Sequence, residues 1–568
     1  MMRFTLVLFL SFNLFTASYL DYPHPYHPTQ SDKGMVVSQN YISSDIGADI
    51  LSQGGNAIDA AVAVGFSLTA TLPRAGNIGG GGFMLIYDAK NDVTVALDFR
   101  SMAPALASPD KYLDKTLNAH DYNQTRRSYK AIAVPGTVAG LIKAHETYGS
   151  MPLAQLIQPT IDLLEAGVPI TQDLYWAMQD TEFLTLDDES KNIYLNDKAV
   201  IGGKILNDDL IRTLKLIQEN GRDGFYKGET AEKIEQAMIA NGGLIRKSDL
   251  EQYKVDFTEP ISITYRDNKI YTMGAPSGGG VAILTSLNVL ENFDLTNFQP
   301  NSAKYTHLLA EVMKYGQQSR SKYIGDPRFS EIPMERLLSK EYAKLKSKNI
   351  KLKRATNVDK LTSRINDLDK RYIESKDTTH YSIIDESGNA VSVTYTLGYS
   401  FGSGVTIEGT GILGNNQMNN FAHEYGRNDS LRRSSSPANK LEPLKRPMST
   451  MAPLIIFDKN NEIKLITGSP GGSQIPNINL QVVLNVLDFN LDIGEATMTP
   501  RIHQDSQNNN LLIEKTINED TRRILTLYGH TIEISDTIGS TQSIHVIDGK
   551  NYGYADLRRP NAKVSIQK

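Results

Sequence analysis

The chain has 568 residues, 40% hydrophobic and 22% charged, a balance that builds buried cores rather than a disordered polymer. Its 59 basic against 64 acidic side chains leave a formal charge of −5, which excludes a chain-wide basic footprint for nucleic acid. Zero cysteines exclude a disulfide scaffold, a thiolate nucleophile, Cys-ligated zinc, an iron–sulfur cluster and a lipoprotein anchor.

Residues 1–18 read as a secretory signal: Arg3 supplies the positive start, Phe4–Phe15 the apolar run, and Thr16-Ala17-Ser18 the small residues before a cut. The run is shorter than the roughly 20 apolar residues a spanning helix needs. Cleavage after Ser18 would give a periplasmic or secreted protein without stable membrane binding. A polar arm, Asp21–Lys33, follows. Residues 40–72 carry helical spacing at Ile46, Ile50 and Leu51, then an almost wholly apolar helix from Ala57 through Leu68. Gly79–Gly82 breaks that pattern, and Phe83–Tyr87 and Val93–Phe99 read as strands. From Pro135 to about Ser347 the pattern is mostly helical; from His380 to Phe421 the period switches to two and strands dominate. Ile455–Phe457 and Ile463–Thr467 continue as strands, and Ile478–Val486 reads as a buried helix. This order suits a layered α/β protein with central sheets.

Several motifs carry less than they suggest. Gly79–Gly82 lacks the Lys-Ser/Thr ending of a phosphate loop, so close backbone packing is its better use. The histidines form no H-E-x-x-H and no clustered pair, which leaves a metal site unsupported. Ser469 follows Gly468 directly, unlike the serine of a G-x-S-x-G elbow. The lysines of Lys340–Lys353 read as a solvated surface rather than a nucleic-acid patch.

The unusual segment is Asp377–Thr396. It reads as a hairpin about Glu386-Ser387-Gly388, with Gly388 in the left-handed position and Asp385 paired with Asn389. That register puts Thr396 opposite Thr378, two hydroxyls about 5 Å apart on one face. An ordinary Thr-rich, half-buried hairpin has the same pattern.

Here Thr378-Thr379-His380-Tyr381-Ser382 resembles the start of the small subunit of the γ-glutamyltranspeptidases, members of the N-terminal-nucleophile hydrolases. The resemblance extends to Gly54–Ala61, Asp98–Pro104, Val134–Gly140, Asn415–Met418, Lys445–Ser449 and Gly468–Gly472, in family order from about residue 34 to the C-terminus. It implies an αββα sandwich built jointly from two autoproteolytic fragments, residues 19–377 and 378–568, held as a heterodimer. The cut would fall between Asp377 and Thr378. The freed α-amine, with a reference pKa of about 7.7–8.0, is a base near operating pH, so no histidine is needed to activate the hydroxyl.

By the same resemblance Thr378 is the nucleophile, Thr396 its hydroxyl partner, and the Gly471 and Gly472 N–H groups hold the oxyanion. Arg100 clamps the substrate α-carboxylate with Ser449 and Thr450, and Gln417 reaches the α-amino end. Implied substrates are glutathione and other γ-glutamyl compounds, with amino-acid or peptide acceptors and no cofactor. Two departures stand out. Asn420 replaces an aspartate that pairs with the substrate ammonium, and Gly398 stands where many relatives have Asn. Asn420 brings no countercharge, which favours a des-amino glutaryl group. Ala422–Leu444, with Arg427, Arg432 and Arg433, occupies the place of a lid loop that a poly-γ-glutamate chain would meet. The alternatives are therefore a glutaryl- or poly-γ-glutamate-specific acylase on the same fold, or an uncut, non-catalytic binding protein.

Overall fold

Asn56 begins the helix Ala57–Thr71 with a capping box: its side chain accepts from Ile58 and Asp59, and the Asp59 carboxylate accepts from the Asn56 N–H. Every residue of this helix is buried. Its alanines and Gly65 keep it thin enough to lie directly on a sheet. The computed structural model describes residues 25–113, 121–358, 377–422 and 436–568.

Two seven-stranded sheets, antiparallel throughout, form the centre. The first runs, edge to edge, Lys563–Ile566, Met35–Ser38, Thr379–Ile384, Ala390–Thr396, Gly81–Asp88, Val93–Phe99 and Asp256–Thr258. The second runs Thr29–Ser31, Lys550–Ala555, Gln542–Ile547, Ile463–Thr467, Leu454–Phe457, Asn268–Thr272 and Ile261–Tyr265. One face of the first sheet packs on Tyr41–Ser52 and Ala57–Thr71. Its other face meets the second sheet, which is covered in turn by Gly278–Leu290, Ala303–Tyr323 and Ile475–Leu487. The expected layering of central sheets flanked by helices is present.

Strand alternation sorts the residues of the central hairpin. Tyr381 and Tyr395 point at the helix, where their hydroxyls donate to Ala61 O and Gly65 O at 2.9 Å each. His380, Ser382, Ser392 and Thr394 point between the sheets and form a polar seam: Ser382 Oγ donates to Gln542 O at 2.8 Å and Ser392 Oγ to Thr467 O at 3.3 Å. The turn also serves the helix, because Asp385 Oδ2 accepts from Ala57 N at 2.9 Å while its Oδ1 holds Ser387 N and Asn389 N.

Two spans depart from the sequence reading. The stretch read as mostly helical contains the strands Asp256–Thr258, Ile261–Tyr265 and Asn268–Thr272. The latter two form a hairpin that turns through Arg266 and Asp267 at φ +45° and +65° without a glycine to mark it. Conversely, after Thr396 the strand pattern gives way to turns, with only Thr406–Ile407 and Ile412–Leu413 paired, because Gly398, Gly402, Gly404, Gly409 and Gly411 bend the chain. Residues 1–18 and the arginines 427, 432 and 433 lie outside the described residues, as does most of the stretch read as a lid.

Candidate active site

The hairpin register is the one read from the turn. Thr379 pairs with Tyr395 and Ile384 with Ala390, Asp385 N donates to Asn389 O at 3.0 Å, and Gly388 has φ +83°. Thr378 and Thr396 are thereby opposed, and Thr378 Oγ1 donates to Thr396 Oγ1 at 3.4 Å. Thr396 Oγ1 in turn donates to the Asp377 carbonyl oxygen at 3.0 Å and accepts from Gly398 N at 2.9 Å. One hydroxyl therefore faces both the Thr378 side chain and the carbonyl of the bond before it, and polarises that carbonyl.

His380, two residues along the same face, is fully buried between Thr394 Oγ1 at 2.8 Å and Ser382 Oγ at 3.1 Å. Burial pulls its pKa down to about 3. At neutral pH it is an uncharged part of the seam.

From Thr396 the network continues to the basic end of the site. Gln417 Nε2 donates to Thr396 O at 2.6 Å, and Gln417 Oε1 accepts from the Arg100 guanidinium. Arg100 also donates from Nη2 to Asn420 Oδ1 at 3.1 Å and from Nε to Pro447 O at 3.2 Å. Its side chain is buried, and burial lowers its pKa to about 9 against the opposing pull of Asp98. Such a cation gains from any anion that reaches it. Asp98 Oδ1 accepts from Arg100 N at 2.8 Å, but Asp98 Oδ2 is committed to Arg446 at 2.8 Å, so the guanidinium has amide and carbonyl neighbours instead of a carboxylate.

Ser449 and Thr450 follow directly on the carbonyl segment that receives Arg100. Ser449 Oγ accepts from Met451 N at 3.1 Å, and Thr450 is half-buried. Gly471 and Gly472 have φ +134° and +57° and open the turn leading into Ile475–Leu487. A Cβ at nearby Gly468 would lie 2.3 Å from the His380 ring, so this turn presses on the strand Thr379–Ile384. Among the described residues no hydrogen bond joins Gly471 or Gly472 to Thr378.

The glycine run is a close-approach device, as read. A Cβ at Gly80 would meet Thr396 O at 2.3 Å. Gly398 is fixed twice over, by φ +109° and by Asn416 Oδ1 at 2.1 Å from the position of a Cβ. Ser469 is buried, donating to Pro470 O and accepting from Ser540 N, which is a structural setting. The Lys340–Lys353 lysines are mostly exposed; Lys340 pairs with Glu291 and Lys346 lies 5.0 Å over the Tyr342 ring.

The expectation of no clustered histidines is corrected. His307 and His530 meet at 2.8 Å beside Glu311, residues far apart in sequence that the helix Ala303–Tyr323 and the Gly529 turn bring together. His307 Nε2 donates to Lys351 O at 2.7 Å, so its Nδ1 accepts from His530. Glu311 already holds Lys314 at 2.6 Å and Thr356 N at 3.0 Å, and that ammonium would repel a metal cation.

Sequence reasoning gave no role to Asn439, Arg74, Arg559 or Asp173. Asn439 Nδ2 donates to Asn420 O and its Oδ1 accepts from Met448 N, both at 2.8 Å, which ties Asn420 to the Arg100-binding segment. Arg74 and Arg559 both reach the Asp377 carboxylate. In the sequence Arg74, Arg559 and Asp173 are charges and Asn439 an amide, none at a regular spacing.

Comparison with known proteins matches residues 43–566 to the family model described as Gamma-glutamyltranspeptidase. The chain is 42% identical over 538 residues to the glutathione hydrolase proenzyme of Escherichia coli (strain K12), covering 94% of this chain and 92% of that one. It is 33% identical over 556 residues to the acylase ACY 1 proenzyme of Pseudomonas sp. (strain SE83), with 95% and 94% covered. Among solved structures, the cephalosporin acylase from Bacillus halodurans superposes with a TM-score of 0.80 at 26% identity, covering 98% of this chain and 99% of that one.

Proposed function

Since the chain belongs to the γ-glutamyltranspeptidase family, we propose that it is an exported, self-processing γ-glutamyltransferase and glutathione hydrolase. The observation that carries this is the Thr378–Thr396–Asp377 relay, in which a potential nucleophile and the hydroxyl polarising its own upstream carbonyl already share a hydrogen bond. Thr378 Oγ attacks the Asp377 carbonyl carbon, the peptide C–N bond breaks, and the hydroxyl proton ends on the Thr378 nitrogen. Water then splits the ester into residues 19–377 and 378–568. Both sheets interleave strands from either side of the cut, which supports a heterodimer that stays together.

The new α-amine takes the proton of the Thr378 hydroxyl as it attacks a γ-glutamyl amide, then returns it to the leaving amine. Thr396 orients nucleophile and amine, and Gly471 and Gly472 supply the oxyanion donors, where left-handed glycines leave N–H groups accessible. Arg100 binds the α-carboxylate, exchanging its amide partners for an anion, with Ser449 and Thr450 beside it. Gln417 and Asn420 line the α-amino end. Water or an amino-acid or peptide amine resolves the acyl-enzyme. Residues 1–18 act as the export signal; among the described residues no helix is long and apolar enough to cross a membrane.

Intact mass of the purified protein tests this: two fragments, the smaller starting at Thr378, are expected, and one full-length inactive chain for Thr378→Ala. A Thr378→Ala chain that still splits there would overturn the mechanism.

A second reading, a glutaryl-preferring acylase, is favoured by one observation. Asn420 meets Arg100 as a neutral amide, which leaves no carboxylate at that position for a substrate ammonium. Faster turnover of a glutaryl anilide than of its γ-glutamyl counterpart would establish it.

A further inference from the structure

The residue before the cut is held at two points. Its carbonyl oxygen accepts from Thr396 Oγ1 at 3.0 Å. Its side-chain carboxylate is paired with the Arg74 guanidinium, and Arg559 lies on the same oxygen at 3.6 Å. Arg74 spends its other terminal nitrogen on Asp173 at 3.2 Å, so it bridges two carboxylates. The ensemble is largely shielded from water, with side-chain exposures of 7% for Arg74, 17% for Asp377 and 25% for Arg559.

The anchor points are themselves fixed. Arg74 follows the buried helix Ala57–Thr71, and its carbonyl accepts from Phe401 N at 2.9 Å, beyond Thr396 in the chain. Arg559 follows the strand Lys550–Ala555 of the second sheet, near Asp556, whose N–H donates to Thr541 O. Burial works against the Arg74 charge, yet the Asp377 and Asp173 carboxylates hold its pKa above the ordinary value. Arg559 is lowered by burial and by the neighbouring Arg74 charge, with Asp377 opposing.

We propose that Arg74 and Arg559 are positioning residues for self-cutting: by clamping the Asp377 carboxylate they fix the plane of the scissile carbonyl against the Thr396 hydroxyl and in front of Thr378 Oγ. This rests on the self-processing reading above and names residues for it outside the hydroxyl relay. The step they assist is the N-to-O shift. The Oγ–C bond forms, the C–N bond breaks, the hydroxyl proton moves to nitrogen, and one water then yields the Asp377 C-terminal carboxylate and free Thr378. Neither arginine gains or loses a proton. Their contribution is geometric, and misplacing a reacting carbonyl by about 1 Å costs on the order of a hundredfold in rate.

The test follows precursor freshly made by cell-free translation, with fragments quantified over time by intact mass and folding checked by thermal melting. Asp377→Asn removes one charge at constant size. It and Arg74→Gln should each cut at least tenfold more slowly than the unaltered chain, with Arg74→Lys in between. The double variant Arg74→Gln/Asp377→Asn should be no slower than the slower single, because both remove one contact. Arg559→Gln should slow cutting less, as the longer contact implies. Wild-type cutting rates in Asp377→Asn and Arg74→Gln, or slowing that adds fully in the double variant, overturn the clamp. If the unaltered chain itself stays whole, the self-processing reading fails and the clamp with it; if the unaltered chain cuts and the variants match its rate, the clamp alone fails.

Discussion

The Gln417 side chain and Thr396 are joined by a 2.6 Å hydrogen bond from Nε2 to the Thr396 carbonyl, and the other end of the same amide receives Arg100. One side chain therefore sets the distance between the hydroxyl relay and the buried cation. Gln417→Ala leaves a buried donor and a buried acceptor unpaired, each costing about 1–3 kcal/mol. Steady-state kinetics with a γ-glutamyl anilide should show a KM roughly tenfold or more higher, with a lower melting temperature. Gln417→Glu should also melt at a lower temperature, because a carboxylate cannot donate to the buried Thr396 carbonyl, and should bind poorly, because that carboxylate occupies Arg100 in place of the substrate.

Asn420 separates the two substrate readings. In Asn420→Asp the new charge pairs with Arg100 and competes with the terminal carboxylate that γ-glutamyl and glutaryl groups share. It attracts only the ammonium that the γ-glutamyl group alone carries. The ratio of kcat/KM for γ-glutamyl over glutaryl anilide should rise by about tenfold, equivalent to about 1.4 kcal/mol. An unchanged ratio would place the ammonium elsewhere.

Gly398→Ala puts a methyl group on Asn416 Oδ1 and forces a side chain to φ +109°. A loss of about 1–3 kcal/mol in urea unfolding is expected. Because the Gly398 N–H also holds Thr396 Oγ1, fragment formation should slow as well. A variant that is fully stable and cuts normally would show that this turn adapts freely.

Acid should destabilise the protein earlier than its carboxylates alone would. Burial lowers the pKa of His380 and His530 to about 3 and of His545 to about 4, whereas the unfolded chain returns each to about 6.5. Between those values the unfolded state binds more protons. The stability is therefore complete above pH 6.5 and is lost progressively as pH falls toward 3–4. Each such histidine contributes a slope of about 1.4 kcal/mol per pH unit. Denaturant melts between pH 6 and 4.5 should show His380→Gln with a slope shallower by about one proton.

How much the sequence shows depends on the range of the interaction. The buried helix at Ala57–Leu68, the strands at Phe83–Tyr87 and Val93–Phe99 and the register of the Thr378–Thr396 hairpin were legible because each follows from local periodicity or one turn. Their observed bounds differ by a few residues. The hairpin at Ile261–Thr272 was not legible, since its turn uses Arg266 and Asp267 and its strands are only five residues long. Arg100, Gln417 and Asn420 were named by family resemblance, which does not say that they bind one another.

By itself the sequence determined the family motifs, the alternation that puts two threonine hydroxyls on one face, and the absence of any thiol chemistry. Tertiary structure alone decided that Gln417 links Arg100 to Thr396, that His307 and His530 meet, and that Arg74 and Arg559 converge on Asp377. The physical reason is that an isolated charge or amide has no period to reveal its partner. Its meaning comes from burial, which removes water as the alternative hydrogen-bonding partner and makes each contact depend on strands and helices distant in the chain.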